Sequence, residues 1–205
     1  MAERCCITIT RQFGSLGRAI GKEVAEKLGY HYYDREIIES SSPIIGDTIE
    51  ELSEFDGHMF GNTFDKMMYP LGLGKSRRQK QVFEVEKSII MEHADYEDCV
   101  IIGRCADEIL KYRRNILSVF IFAPYKERLK NCEEELGLSH EKAMNYIAKV
   151  DKAREDFYQL ITGNDFEGVN SRQLLIDSSL LGVDGTSDLI VEIARKKFCL
   201  EADRQ

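Results

Sequence analysis

The sequence has 205 residues, of which 43% are hydrophobic and 31% are charged, and its formal net charge is −8 at pH 7. This length suits one hydrophobic core better than two, so we expect a single domain over residues 1–205. The acidic balance argues against nucleic acid or an anionic membrane surface as the main partner, and the apolar runs are too short to cross a bilayer.

The first predicted unit is a strand, a turn and a helix. Residues 6–10 are short, apolar and β-branched, which is typical of a buried central strand. The turn-like stretch Gly14-Ser15-Leu16-Gly17 comes next. From Arg18 to Leu28 the apolar residues recur at helical spacing, and Gly29 stands where a helix would end.

The middle of the chain is the least regular part. The aromatic run His31-Tyr32-Tyr33-Asp34 predicts a second strand, followed by a helix from Arg35. Residues 47–80 have no clear pattern, and their basic tract at 75–80 could be a flexible loop, an acceptor clamp or a partner surface; we favour the loop. An amphipathic helix is predicted over residues 81–94.

Strands and helices alternate in the second half of the chain. Strands are predicted at 99–102, 117–122 and 174–177, and helices at 106–111, 125–136, 139–161 and 188–198. Ser139 is a suitable N-cap for the long helix. The alternation predicts an α/β fold with a mostly parallel central sheet and helices on both faces.

The turn after the first strand has the composition of a phosphate-binding loop. Small residues let successive backbone N–H groups converge on oxygens, and the helix behind them adds its positive end. Against the pattern G-x-x-x-x-G-K-[ST], Gln12 replaces the first glycine, Arg18 the lysine and Ala19 the magnesium-binding hydroxyl. Ser15 or a water would have to replace that hydroxyl. Spacing alone leaves an ordinary strand–turn–helix connection as the alternative.

Gly103 and Arg104 form a second candidate anion site, because they directly follow the predicted strand at 99–102. Ligands bind at the carboxyl ends of strands in such sheets. Glycine lets a backbone approach a ligand, and arginine binds phosphate or carboxylate through two parallel hydrogen bonds. The alternative is a turn glycine beside a surface arginine.

A third candidate lies on the predicted helix at 139–161. Asp151, Arg154 and Tyr158 are spaced i, i+3 and i+7 and therefore share one face. With Arg128 upstream, this face could be a cationic flap over an anionic ligand. A solvated, salt-bridged helix would have the same sequence.

The cysteines and the first residues bear on the compartment. Six cysteines occur without a C-x-x-C pair, which argues against a zinc ribbon or a redox dithiol. We expect reduced, partly buried thiols. The N-terminal residues lack an apolar signal core, so we expect a cytoplasmic protein.

Taken in order, these motifs resemble the cytidylate kinase-like family of bacterial P-loop proteins. The motifs are Ile7-Thr8-Ile9, Arg11 to Arg18, Tyr33-Asp34, Ile101 to Asp107, Val119-Phe120-Ile121 and Asp151 to Arg154. The resemblance covers about residues 6–195 and is thinnest at 45–80. It implies a three-layer P-loop NTPase fold with an acceptor-binding insertion at about 35–95 and a helical LID at about 125–165.

The resemblance also implies a set of site residues. The donor, ATP, would be held by Gln12, Phe13, Gly14, Ser15, Leu16, Gly17, Arg18 and Ala19. The acceptor would be bound by Asp34, Arg35, Gly103, Arg104 and Asp107. Catalytic roles would fall to Arg18, Arg128, Arg154 and Lys152. Mg²⁺ would be held through the phosphates, with Ser15 as a candidate ligand.

Two departures qualify the activity that the resemblance implies. The loop lacks the lysine and the hydroxyl of true cytidylate kinases, and Leu16 stands where the family has glycine. The first hypothesis is magnesium-dependent transfer of the γ-phosphate of ATP to CMP, dCMP or another small acceptor, so that the partner is a nucleotide or small phosphorylated molecule. The second is a nucleotide-binding regulatory module with weak catalysis. The third is an unrelated phosphoester enzyme on the same scaffold. The sequence predicts no oligomeric state.

Overall fold

The computed structural model describes residues 4–34, 76–169 and 172–199. The predicted helix from Arg35, and the predicted acceptor-binding role of that residue, lie outside these ranges. The expected acceptor-binding insertion is therefore described only from residue 76 onward.

Five parallel strands form the central sheet of the described chain. They are β1 (Cys6–Arg11), β2 (His31–Tyr33), β3 (Cys99–Ile102), β4 (Ile116–Phe122) and β5 (Leu174–Asp177). Their order across the sheet is β2-β3-β1-β4-β5, which places β1 at the centre. Because the strands run in the same direction, the residues that follow them meet at one edge.

Helices cover both faces of this sheet, as the alternation predicts. They are α1 (Gly17–Leu28), α2 (Ser76–Tyr96), α3 (Ala106–Ile109), α4 (Tyr125–Glu134), α5 (His140–Thr162) and α6 (Gly182–Lys197). On one face, Ile7 and Ile9 of β1 pack in a core with residues of α1 and α6. On the other face, Cys6 and Ile101 pack with residues of α2 and α3. The predicted α/β architecture is confirmed.

Two helices begin earlier than predicted. Helix α2 starts at Ser76, so residues 76–80 of the basic tract are helical and the loop expected there is wrong. These residues are good helix formers without an apolar period, and a pattern search therefore misses them. Helix α6 starts at Gly182, six residues before the predicted start, because tertiary contacts fix its first turns: Ser187 is fully buried and donates to Glu23 Oε1 at 2.9 Å.

The cysteines are free thiols, as expected. Five are buried, namely Cys5, Cys6, Cys99, Cys105 and Cys132, whereas Cys199 is exposed. Within the described ranges, every helix is too short or too polar to span a membrane.

Candidate phosphate-binding site

A sharp turn joins the carboxyl end of β1 to α1 at the centre of the sheet edge. Gly14 has φ of 78° and Leu16 has φ of 58°, so both adopt the left-handed conformation. Gly14 is required as glycine, since a Cβ there would lie 2.7 Å from the carbonyl oxygen of Arg128. Leucine tolerates this conformation at a cost of about 1–2 kcal/mol. We call residues 12–19 the donor loop.

The donor loop presents a row of N–H groups without acceptors in the described part of the chain. They belong to Gly14, Ser15, Leu16, Gly17 and Ala19, and helical bonding resumes only where Ile20 donates to the carbonyl of Leu16. No side chain caps the helix at Leu16. Ser15 and Gly17 are themselves buried, and orphaned buried N–H groups are rare in proteins. An oxyanion is the ligand that such a helix start favours.

Hydrogen bonds hold the donor loop against the edge of the sheet. Its first amide, at Gln12, donates to the carbonyl of Ile121 at 3.0 Å. The Ser15 hydroxyl lies 2.9 Å from the Gln12 carbonyl and 3.2 Å from the Ile121 carbonyl, and Ser178 donates to the Ser15 carbonyl at 2.8 Å. Because Ser15 is fully buried, its hydroxyl points into the protein and away from the ligand side. Its role as a magnesium ligand stays a prediction.

Helices α4 and α5, which form the predicted LID, pack directly on the donor loop. The Phe13 ring is buried in a cluster with Cys132 of α4 and with Ala143, Ile147 and Val150 of α5. The Phe13 ring therefore joins the donor loop to both helices.

Polar contacts reinforce this packing. The backbone N–H of Phe13 donates to Asp151 Oδ1 at 2.7 Å, and the other oxygen of Asp151 pairs with Arg128. Arg128 also donates to the Phe13 carbonyl at 3.2 Å, and Asn131 donates to the Gly14 carbonyl at 2.9 Å. In this structure Arg128 therefore holds the loop backbone, and its predicted catalytic role stays a prediction.

Arg154 reaches the same region from α5. It is 7% exposed, donates to the Arg11 carbonyl at 3.0 Å and lies over the Phe13 ring. Burial lowers the pKa of Arg154 to about 10, nearby Asp151 opposes that change, and Arg128 adds to it. The predicted shared face of the long helix is confirmed: Asp151 and Arg154 bond to the backbone of Phe13 and Arg11, and Tyr158 donates to Asp107 of α3.

The predicted acceptor side is held together by two ion pairs. Arg18 binds the buried carboxylate of Asp34 at 2.5 Å, so its guanidinium reaches from the donor loop toward the end of β2. Arg104 binds Glu86 of α2 at 3.1 Å, and both side chains are almost fully buried. The residue pattern did not identify Glu86 as part of the site.

Two predicted residues face elsewhere in this structure. Asp107 accepts from Tyr158 at 3.0 Å and pairs with Arg172 at 3.1 Å, and burial raises the pKa of its carboxyl although these two partners oppose the rise. Lys152 is exposed and pairs with Glu155 and Asp156 on the helix surface. The structure therefore does not bring Lys152 to the donor loop.

A small cavity of about 40 Å³ lies where β1 and β3 end. Arg104, Arg154 and Tyr158 line it, together with Gly103 and an arginine that the sequence analysis did not select, Arg11. Its signal in the sequence is a charged residue at the last position of an otherwise apolar strand.

A larger cleft of about 750 Å³ lies beside the other end of β4, next to Ile116 and Ser118. Its walls include Asp107, Lys111 and Arg172. Its strand residues lie at the amino-terminal end of β4, so we do not associate it with the donor loop, although Glu167 of its wall accepts a hydrogen bond from Gln12 at 2.7 Å.

Comparison with protein families gives one decisive match: the description "cytidylate kinase-like family" fits residues 6–180. The chain belongs to the cytidylate kinase-like family. No curated protein matches the sequence. The motif order that suggested the resemblance is therefore confirmed, and the matched range includes the donor loop, all five predicted acceptor residues and the predicted LID region.

Solved structures agree on the fold of this cytidylate kinase-like protein. An uncharacterized protein from Eubacterium ventriosum is 22% identical with a TM-score of 0.72, and the match covers 93% of this chain and 98% of that one. Shikimate kinase from Bacteroides thetaiotaomicron is 15% identical with a TM-score of 0.51, over 92% and 97% of the two chains. A gluconokinase from Sinorhizobium meliloti is 13% identical with a TM-score of 0.50, over 97% and 94%. These likenesses show the P-loop kinase fold.

Proposed function

We propose that the protein is a phosphotransferase that moves the γ-phosphate of ATP to a small acceptor, with CMP and dCMP as the leading candidates. One observation carries the proposal: the donor loop presents N–H groups of Gly14, Ser15, Leu16, Gly17 and Ala19 that lack acceptors in the described chain. The family assignment and the kinase fold support the same class of reaction.

In the proposed reaction the donor loop holds the phosphates of ATP at the start of α1. An oxygen of the acceptor forms a bond to the γ-phosphorus while the bond from that phosphorus to the bridging oxygen breaks, and ADP leaves with the bonding electron pair. If the acceptor is a monophosphate, the attacking oxygen is already anionic and no base is needed. Positioning and charge neutralisation then account for most of the catalysis.

The arginines around the loop suit this task. Arg18 is half exposed and lies between the donor loop and Asp34, so a modest rotation would let it bind a phosphate instead of that carboxylate. Arg154 is held at the edge of the cavity between β1 and β3. We propose that both neutralise the transferring group, and that Arg104 and Asp34 bind the acceptor.

The donor loop fits the phosphates of ATP better than it fits a directly bound metal. Ala19 offers no hydroxyl, and the hydroxyl of Ser15 is engaged inside the protein. Bound Mg²⁺ would neutralise phosphate charge in the usual way, and we propose that phosphate oxygens and water hold it here.

Ala19 and Ser15 also favour a second candidate function, a nucleotide-binding module with little turnover. Without a hydroxyl to position the metal, the loop could bind ATP and transfer its phosphate slowly. Leu16 stands where we expect glycine in the family, which narrows the backbone conformations open to the loop; its side chain packs against the core shared by β1 and α1.

A coupled assay of ADP release against a panel of nucleoside monophosphates and small alcohols tests the proposal. We expect turnover with a cytidine monophosphate and a loss of kcat/KM of about 10²–10³ in Arg18→Ala, the usual effect of removing one donor that stabilises transition-state charge. Lys22→Ala is the matched control, because Lys22 lies one turn along α1, its side chain is 69% exposed, and Glu26, at 3.9 Å, is its only ion-pair partner among the residues that the structure describes. ATP binding without turnover on any acceptor would support the binding module instead.

A further inference from the structure

Arg11 lies at the last position of β1 with two glycines making room for it. A Cβ at Gly103 would overlap Nη1 of Arg11, and a Cβ at Gly17 would lie 2.7 Å from the Cβ of Arg11. The aliphatic part of Arg11 therefore lies against the start of α1, and its guanidinium lies against the residue that follows β3. Glycine is needed at both positions to keep it there.

The side chain of Arg11 has no ion pair or hydrogen bond within the described residues. The neighbouring arginines do have partners: Arg18 pairs with Asp34, Arg104 pairs with Glu86, and Arg154 donates to a backbone carbonyl. Burial lowers the pKa of Arg11 well below its usual range, and the positive charge of Arg154 adds to this effect. Arg11 is half-buried beside other cations, and a bound anion would compensate their charge.

The cavity of about 40 Å³ at the ends of β1 and β3 is lined in part by Arg11. Its walls include Arg11, Arg104 and Arg154, and they include no carboxylate among the residues that the structure describes there. One water needs roughly 10–15 Å³ on this scale, so the cavity has space for a group of several heavy atoms. A phosphoryl group has that size and the required charge.

We infer that Arg11 binds a phosphate of the acceptor in this cavity, so that the acceptor is a phosphomonoester and not a neutral alcohol. The inference rests on the proposed function and narrows its substrate class. A neutral hydroxyl acceptor would leave Arg11 without a counter-charge, whereas a phosphomonoester dianion supplies two oxygens that a guanidinium binds in parallel. The donor phosphates are assigned to the N–H groups of the donor loop.

Equilibrium binding separates the acceptor phosphate from the donor. Inorganic phosphate, the nucleoside monophosphates, their matching nucleosides and a non-hydrolysable ATP analogue are titrated into wild type, Arg11→Met, Arg11→Lys and the control Lys22→Met. We expect Arg11→Met to weaken the best monophosphate about 10- to 100-fold, as for loss of charge-assisted hydrogen bonds. Arg11→Lys should recover part of this loss, and the nucleosides and the ATP analogue should change less than about threefold.

A double-mutant cycle with Gly103→Ala checks that the effect comes through Arg11. The added methyl must displace the guanidinium, so Gly103→Ala alone should weaken monophosphate binding. In the Arg11→Met background it should have little further effect. Additive losses would mean that Gly103 acts by strain of its own, since its φ is 73°, and would contradict this part of the inference.

The remaining outcomes separate the inference from the proposed function. Equal weakening of the ATP analogue and the monophosphate in Arg11→Met would overturn the inference by assigning Arg11 to the donor. Unchanged monophosphate binding would overturn it outright, even if the wild type is an active kinase. Loss of phosphate binding in Arg11→Met, in a protein without turnover on any acceptor, would uphold the anion site and refute the kinase.

Discussion

Replacing Asp151 by alanine tests whether the LID holds the donor loop in place. The carboxylate of Asp151 accepts the N–H of Phe13 at 2.7 Å with one oxygen and pairs with Arg128 through the other. The change removes both contacts at once. It leaves Arg128, whose side chain is 11% exposed, without its acidic partner.

The expected loss of stability is about 2–4 kcal/mol. A hydrogen bond to a charged group contributes about 1.5–3 kcal/mol, and breaking a fully buried ion pair costs about 3–5 kcal/mol. The second figure must be reduced, because the side chain of Asp151 is 24% exposed and Arg128 keeps its bond to the Phe13 carbonyl. With a urea m-value of about 2 kcal/mol/M, the unfolding midpoint should fall by about 1–2 M.

Urea unfolding of Asp151→Ala, compared with that of the control Asp156→Ala, tests whether the contact with the loop adds stability. Asp156 lies on the same helix, and its side chain is 57% exposed and bound to Lys152. An exposed pair of this kind contributes about 0.2–1 kcal/mol. If both variants lose the same stability, the contact of Asp151 with the loop contributes nothing beyond a surface ion pair, and the proposed coupling is refuted.

Four shorter predictions concern the loop, the core and the thiols. Gly14→Ala should lose more stability than Gly137→Ala by at least about 1 kcal/mol in urea unfolding, because both have positive φ but only the first would press its Cβ against a carbonyl oxygen of α4. Ser178→Ala should cost about 1–2 kcal/mol in the same experiment, since Ser178 is 3% exposed and its hydroxyl donates to the Ser15 carbonyl of the loop. Ellman's reagent at pH 8 should label Cys199 quickly and the buried thiols only on unfolding. Burial raises the pKa of Cys132 to about 11, so the stability linked to its protonated thiol is complete below pH 9 and is lost as the pH rises toward 11, and Cys132→Ala should reduce that alkaline loss.

The sequence was sufficient for the sheet and for the place of the loop. Buried parallel strands are nearly continuous apolar runs, so 6–10, 99–102 and 117–122 were recognisable without any tertiary information. The N-cap at Ser139 was equally local, and the structure confirms that its side chain accepts from the Lys142 N–H.

The sequence could not show which side chains on distant elements form hydrogen bonds or ion pairs with each other. The charges at Asp151 and Arg154 were visible, but whether they face solvent or the loop depends on how α5 packs, and the structure places both against the loop backbone. Glu86 is a clearer omission, because it shares the spacing of the apolar stripe with Phe83 and Ile90, and an acid in a buried stripe calls for a cation. Its partner, Arg104, was identified only as a ligand-binding residue.

The burial of the Phe13 ring between α4 and α5 has a consequence for motion. A lid that swung open as a rigid body would have to extract this ring from its apolar socket, at about 2–3 kcal/mol, or drag the loop along. Nucleotide binding to the loop and opening of the lid would thus be thermodynamically coupled. Rigidity gained at the phosphates should then be detectable as slower amide exchange in α4 and α5.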